Sequence, residues 1–229
     1  GVHTTLAALV AEELDLDWDQ VRVAHGPPSH AYFNAGALSE GLPFPPTDTG
    51  WLAETSRSAM DVPGKILGIQ VTGGSSSIPD AYRKMRQAGA TARAMLVAAA
   101  ASQFGVPASD LKTESGHVIA PDGRKVSYAE LATLAATQDV GDVAPKDRAD
   151  WRLLGRPLPR LDVVAKSTGT AQFGMDVQLP GMVYATIRTN PRIGGPMNSY
   201  DAAEAEAMDG TLKVVPIGNG VAVIGKTTW

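Results

Sequence analysis

The 229-residue chain contains no cysteine. This absence excludes disulfides, thiolate zinc sites, a cysteine nucleophile and any cysteine-ligated iron–sulfur cluster within the chain. Histidine is also scarce, and the four histidines match no metal-ligand spacing, so we predict no metal-ligating residue in this chain. No apolar run approaches the roughly 20 residues of a membrane-spanning helix.

Positive charge is not in excess, because the formal net charge is −4. The chain therefore lacks the basic footprint of a protein that binds nucleic acid or an anionic membrane. Aromatic residues make up only 6%, whereas hydrophobic residues reach 44%, which is typical of a globular protein with a buried core. The length allows one large domain or two small ones.

The most informative stretch lies between residues 66 and 105. Ile66–Val71 predicts a buried strand, Thr72–Ser77 a loop of small residues, and the following residues a long helix that ends at Gly105. Ser77 is expected to cap this helix, with Asp80 in a capping-box position. The spacing of six apolar residues predicts one buried face: Met85, Ala88, Ala92, Met95, Leu96 and Ala99.

A strand, a glycine-serine loop and a helix N-terminus would gather backbone N–H groups and hydroxyls at one point. Such a point suits an anion, and phosphate above all. The loop lacks the Gly-Lys-Ser/Thr of a Walker A motif, the glycine spacing of a Rossmann fingerprint and the Gly-x-Ser-x-Gly of a nucleophile elbow. The alternative is a tight strand-to-helix turn with an ordinary helix cap.

The segments before this stretch are less regular. Thr4 or Thr5 is expected to cap a first helix, on which Glu12 and Glu13 would face solvent. Val21–Ala24 reads as a short strand. Residues 26–64 are predicted to form a long loop, which either contributes to a site or merely covers the core.

The segments after residue 105 carry stronger local signals. Pro121–Gly123 predicts a hairpin turn within residues 111–126, and Ser127 with Glu130 forms a capping box for a helix that turns Leu131 and Leu134 inward. A proline-rich stretch then suggests a domain boundary. Beyond it, a smaller α+β unit is predicted from three strand-like segments and one helix: Val183–Ile187, Leu212–Val215, Val221–Ile224 and Asp201–Met208.

Taken together, these segments resemble the molybdenum-cofactor-binding large subunit of the xanthine dehydrogenase and aldehyde oxidase family. The bacterial isoquinoline 1-oxidoreductase beta subunit and its aldehyde dehydrogenase relatives form the most similar branch. Gly1–Leu6 resembles the end of the family's Gly-Gln-Gly-x-His-Thr motif. The other matching stretches are Val71–Asp80 with Arg86–Ala90, Leu153–Asp162 with Lys166, Gly169 and Asp176, Pro180–Ala185, and Val221–Val223 with Trp229.

This resemblance implies an α+β fold with three parts. Residues 1–138 would be a segment of a molybdopterin-binding domain, 139–161 a linker, and 162–229 a truncated α/β-hammerhead domain. The implied cofactor is molybdopterin, as its cytosine dinucleotide. The implied cofactor-binding residues are Gly1, Thr72, Gly73, Gly74, Ser75 and Ser77.

The family's catalytic glutamate and its Gly-Gly-x-Phe-Gly loop have no counterpart in the chain, so no catalytic residue is assigned. The chain is therefore expected to be one segment of a molybdenum hydroxylase, inactive by itself. The complete enzyme would oxidise an N-heteroaromatic or aldehyde substrate with water as the oxygen source. The alternatives are a scaffold or interaction module without the chemistry, or a split subunit.

The resemblance also implies partners. These are a small subunit with two [2Fe–2S] clusters, the remainder of the large subunit, and a cytochrome c as electron acceptor; neither nucleic acid nor a membrane span is expected. A bacterial source is implied, with the periplasm as the location and the cytoplasm as the alternative.

Overall fold

The computed structural model describes residues 1–27, 29–45, 48 and 50–228, so Trp229, which the resemblance included, lies outside the described residues. The backbone forms two compact units, residues 1–169 and 170–229. Each unit combines helices with antiparallel strands. The predicted α+β class is therefore confirmed, whereas the three-part division of the chain stays a prediction.

The first unit begins with helix α1 (Val2–Glu13), which Gly1 precedes as the N-cap instead of Thr4 or Thr5. Helix α1 packs on the long helix α4 (Ser77–Phe104) at Gly89. A Cβ atom at Gly89 would lie 2.8 Å from Glu13 Cβ and 3.1 Å from the Val10 carbonyl oxygen. Glycine at this position thus allows the two helices to approach closely.

Two predictions for residues 21–71 are wrong. Val21–Ala24 has no strand pairing, and the predicted long loop contains helices α2 (Gly36–Ser39) and α3 (Trp51–Leu67).

The predicted buried strand Ile66–Val71 is replaced by the end of α3 and an irregular segment. Gly68 ends α3 at a φ of +58°, and the Ile69 N–H donates to the Gly64 carbonyl. Ile66 and Leu67 are 71% and 66% exposed, so this apolar run is not a core segment. A short apolar run by itself cannot distinguish a strand from a helix end.

Helix α4 ends as predicted, because Gly105 adopts a φ of +70°. Leu96 and Ala99 are buried as expected, but Ala88 is exposed and Gly89 and Ala90 are buried in its place. The buried face is therefore rotated slightly at the N-terminal half, where α1 packs against it.

The hairpin and capping-box predictions are confirmed. Strands β1 (Lys112–Glu114), β2 (His117–Ile119) and β3 (Lys125–Ser127) form an antiparallel sheet in that order, with Gly123 at a φ of +88°. Helix α5 (Tyr128–Ala135) follows with both bonds of the Ser127 capping box. Leu131 is fully buried, but Leu134 is 39% exposed, so its inward placement was wrong. The core between α4, this sheet and α5 consists of Leu96, Ala99, Ala100, Val118, Val126, Leu131 and Ala135.

Residues 146–161, here called the strap, run along α1, and the short helix α6 (Val163–Ser167) follows. In the second unit, strands β4 (Tyr184–Thr189), β5 (Thr211–Ile217) and β6 (Gly220–Gly225) form an antiparallel sheet in the order β4-β6-β5. Helix α7 (Ala203–Glu206) lies within the predicted helix. All three strand predictions for this unit are confirmed.

Candidate cofactor-binding loop

The segment between α3 and α4 is an exposed loop with an uncommon backbone. Gly74 and Ser75 both adopt left-handed conformations, with φ of +54° and +58°. Such values are rare for serine. Ser76 closes the turn, because its N–H and its hydroxyl both donate to the Gly73 carbonyl, at 3.0 and 2.8 Å. The loop is therefore shaped by Ser76 rather than by a preceding strand.

The residues of this loop are exposed, and three of their backbone N–H groups have no acceptor within the described residues. Val71 to Ser75 are exposed, and within the described part of the chain the N–H groups of Gly73, Gly74 and Ser75 donate no hydrogen bond. The first turn of the 28-residue helix α4 follows directly, and its N–H groups carry a partial positive charge. This donor set is chemically suited to the oxygens of a pyrophosphate.

A buried asparagine, Asn34, fixes the loop from beneath. Its Nδ2 donates to the Val71 carbonyl at 2.7 Å and to the Ser76 hydroxyl at 3.0 Å. Its backbone N–H donates to the Ile69 carbonyl at 2.6 Å. Both ends of the loop are thus attached to one residue, which the sequence analysis did not single out.

Asp80 has a different role from the predicted helix cap. Ser76 is the N-cap of α4, although its side chain makes no capping bond. The Asp80 carboxylate instead accepts hydrogen bonds from the N–H groups of Ala35 and Gly36, at 2.9 and 3.1 Å, and pairs with Lys84 at 2.8 Å. The capping-box prediction was wrong because the partners of Asp80 lie about 45 residues earlier in the chain.

One negative charge lies beside the loop. The Glu40 carboxylate is adjacent to Gly74, where it would collide with any Cβ atom. Gly74 is thus favoured by its left-handed conformation, and a Cβ atom there would also displace the end of the flexible Glu40 side chain. Gly73 differs, since a Cβ atom there would meet nothing within 4 Å.

The predicted cofactor residues do not all lie together. Thr72 to Ser75 form the loop and Ser77 begins α4. Gly1 caps α1, where its carbonyl accepts bonds from the Thr5 N–H and hydroxyl. Within the described residues, no hydrogen bond connects Gly1 with the loop.

The two glutamates at the end of α1 are buried, which corrects the prediction that they face solvent. The Glu12 carboxylate accepts hydrogen bonds from three consecutive backbone N–H groups of the strap, those of Arg152, Leu153 and Leu154, at 2.6–3.0 Å. The Glu12 carboxylate also lies 3.6 Å from Lys146 Nζ.

The neighbouring Glu13 carboxylate pairs with Arg86 Nε at 2.8 Å and accepts the Lys146 N–H at 2.9 Å.

The pKa of Glu12 reflects this environment. Burial by itself would raise the pKa, but the hydrogen bonds from Leu154, Arg152 and Leu153 and the charge of Lys146 outweigh burial and lower it. Glu12 is therefore an ionised structural anchor, and both of its oxygens already accept hydrogen bonds.

Among the described residues, no cluster of three or more His, Cys, Asp or Glu side chains could hold a metal ion. No described helix is long and apolar enough to cross a membrane.

Comparison with known proteins agrees with the resemblance found in the sequence. The chain is 33% identical to the isoquinoline 1-oxidoreductase beta subunit of Brevundimonas diminuta and 32% identical to a nicotinate dehydrogenase subunit of Pseudomonas putida, over 99% of its length in both cases. It is 26% identical, over 94% of its length, to a protein of Gluconacetobacter polyoxogenes named membrane-bound aldehyde dehydrogenase (pyrroloquinoline-quinone). No protein-family model matches the chain.

These relatives are oxidoreductase subunits of the molybdenum hydroxylase family, and the chain is homologous to them over nearly its whole length. The family implies a molybdenum cofactor. The chain spans 30% of the isoquinoline enzyme's subunit and 17% of the nicotinate enzyme's subunit. The chain therefore corresponds to one segment of much longer proteins.

Proposed function

We propose that the loop at Thr72–Ser75 and the first turn of α4 bind the pyrophosphate of a molybdopterin cytosine dinucleotide. The observation that carries this proposal is the run of three exposed residues, Gly73, Gly74 and Ser75, whose N–H groups donate no hydrogen bond within the described residues and which lead into the start of α4. Ser77 adds a hydroxyl at the helix start. Gly1 belongs to the same proposal through the resemblance alone.

The role of this chain in the complete enzyme is to hold and orient the cofactor. When bound, the molybdenum cofactor supplies the two-electron oxidation of a substrate carbon, with water as the source of oxygen. The substrate class is an N-heteroaromatic compound or an aldehyde, as the names of the relatives suggest. The catalytic base would come from outside these 229 residues.

Electrons must leave the cofactor through another protein component, because a chain without cysteine cannot hold a cysteine-ligated cluster. We assign this role to a small subunit with two [2Fe–2S] clusters, followed by a cytochrome c. The periplasm of a bacterium is the proposed location, by the same resemblance.

The test compares two glycine variants of the complete natural protein. Gly74 and Gly105 both adopt left-handed conformations, at opposite ends of α4. Gly74→Val places a branched side chain against Glu40, whereas a side chain at Gly105 meets nothing within 4 Å. Both variants carry a similar backbone strain, so Gly105→Val controls for general destabilisation.

Molybdenum and pterin are measured per chain by elemental analysis and by the fluorescence of the oxidised pterin, and the extracted nucleotide is identified by mass spectrometry. We expect stoichiometric contents in the unmodified protein and in Gly105→Val, and a loss of at least about tenfold in Gly74→Val. Equal losses in both variants would contradict the assignment to this loop. An extract with pyrroloquinoline quinone, or with no cofactor, would contradict the molybdopterin itself and, in the second case, favour the scaffold alternative.

A further inference from the structure

Asn34 is buried and fully hydrogen-bonded, with 8% of its surface exposed. Its Oδ1 accepts the Gly36 N–H at 2.9 Å, while Nδ2 and the backbone N–H donate to Val71, Ser76 and Ile69. Each hydrogen-bonding group of the side chain therefore has a partner. Such a residue constrains its neighbours strongly, because any change leaves a buried polar group unsatisfied.

The chemical requirement at this position is an amide. The Val71 carbonyl can only accept a hydrogen bond, so the group opposite must be a donor. A carboxylate at position 34 would place two oxygen atoms 2.7 Å apart without a proton between them. The Gly36 N–H requires an acceptor on the other side of the same side chain, and asparagine provides both.

The contacts of Asn34 bracket the exposed donors of the loop. Two partners of Asn34, Ile69 and Val71, precede the loop, and the third, Ser76, follows Ser75. The Ser76 hydroxyl accepts the bond from Asn34 and donates in turn to the Gly73 carbonyl at 2.8 Å. The loop is therefore held at both ends by Asn34, and the Gly73 carbonyl is held by Ser76. The backbone of the loop has little other support, because its side chains are small and exposed.

We propose that Asn34 is the positioning residue of the cofactor loop: it orients the N–H groups of Gly73–Ser75 through Val71 and Ser76 and does not touch the cofactor itself. This inference rests on the proposed function of the loop. It assigns to the segment before α2 a role in holding the cofactor.

The experiment uses Asn34→Asp and Asn190→Asp in the complete natural protein. Asn190 is the control because, in the second unit, it makes two of the same three kinds of side-chain bond: its Nδ2 donates to the Pro196 carbonyl and its Oδ1 accepts the Arg192 N–H, two residues later. Ser76→Ala is a second, milder variant, which removes the relay to Gly73 without adding a charge.

Two properties are measured. Hydrogen exchange of residues 70–76, in protein from which the cofactor has been removed, reports the order of the loop. The rate at which molybdenum and pterin are lost during dialysis reports binding. We expect Asn34→Asp to accelerate both by about tenfold and Ser76→Ala to accelerate both by a smaller factor, with no change in Asn190→Asp.

The outcomes separate the two proposals. Unchanged exchange in Asn34→Asp and Ser76→Ala would overturn the positioning role, whatever the loop binds. Faster exchange with unchanged cofactor loss, while Gly74→Val still loses the cofactor, would also overturn it and leave the proposed function intact. If neither Asn34→Asp nor Gly74→Val affects the cofactor, the loop is not the binding site and both proposals fail.

Discussion

Two rows of consecutive backbone N–H groups occur in the first unit, and they differ in what they meet. The row at Arg152–Leu154 in the strap is filled by the carboxylate of Glu12, from the same chain. The row at Gly73–Ser75 belongs to exposed residues, and within the described residues it meets no acceptor. Both rows can bind an oxyanion.

The difference lies in whether the chain itself supplies the acceptor for a row of N–H groups. At the strap, the buried Glu12 carboxylate and the Lys146 ammonium neutralise each other, and Glu12 joins α1 to the strap. At the loop, a neutral amide, Asn34, holds the backbone, so the N–H groups keep their capacity for an external anion. The Glu40 carboxylate lies beside Gly74, but within the described residues it accepts no hydrogen bond from these three N–H groups.

The largest effect is expected when the Glu12 carboxylate is removed from the row at Arg152–Leu154. Glu12→Ala leaves three partly buried N–H groups without an acceptor and removes a buried negative charge that lies 3.6 Å from the buried Lys146 ammonium, so the free energy of unfolding should fall by about 3–5 kcal/mol. Denaturant unfolding of the complete natural protein measures this. Glu114→Ala, an exposed position on β1, is the control and should stay within about 0.5 kcal/mol of the unmodified protein. A change below about 1 kcal/mol in Glu12→Ala would contradict the anchoring role of Glu12.

The next largest effect is expected for a substitution within the row at Gly73–Ser75. Gly74→Ala forces alanine into a left-handed conformation and displaces Glu40, which should lower the free energy of unfolding by about 1–2 kcal/mol. Gly73→Ala is the neighbouring control, and since its side chain meets open space, its effect should not exceed about 0.5 kcal/mol. Equal effects in the two variants would show that the loop does not hold this geometry in solution.

A third test is Lys84, which pairs with Asp80, the residue that binds the segment after Asn34. Its Nζ lies 2.8 Å from Asp80 and 3.7 Å from the centre of the Phe33 ring, and it donates to the Phe33 carbonyl. Lys84→Met should lower the free energy of unfolding by about 1 kcal/mol. The control is Lys125→Met, on the exposed side of β3, which should leave the free energy of unfolding unchanged. An equal decrease in both variants would mean that the effect comes from the lost net charge and not from the contacts of Lys84.

The smallest effect is a change of slope with pH. Because the pKa of Glu12 is lowered in the folded state, the unfolded state binds more protons between the folded pKa and the ordinary value of 4.5, and stability falls as the pH drops through this range. Glu12→Gln cannot titrate, so its stability difference from the unmodified protein should be full at neutral pH and shrink in acid. Unfolding curves at several pH values measure this difference, and a constant difference would place the origin of the acid sensitivity at another carboxylate.

The predictions that succeeded depend on residues close together in the sequence. Pro121–Gly123 and the Ser127–Glu130 box specify a turn and a helix start within four residues, and Gly105 specifies a helix end. The strand prediction at Ile66–Val71 failed because Gly68 converts an apolar run into the exposed end of a helix.

The predictions that failed at Glu12, Glu13 and Asp80 depend on distant partners. The acceptor role of Glu12 is defined by residues about 140 positions later, and no local pattern announces such a contact. Asn34 is a similar case, since nothing in its surroundings in the sequence distinguishes it from a turn residue. The predicted loop at Thr72–Ser77 was located correctly except for Ser77, which begins α4. Asn34, which holds both ends of the loop, could be found only in three dimensions.

Helix α4 has a mechanical property that follows from its contacts. The loop is joined to its first residue, Ser77. About 14 Å further along, Arg86 donates to the Lys146 carbonyl at the start of the strap, and Gln87 donates to the Val143 carbonyl just before the strap. The loop and the strap are therefore attached to the N-terminal half of one continuous helix. The distance between the loop and the strap is set by the rise of α4 between Ser77 and Arg86.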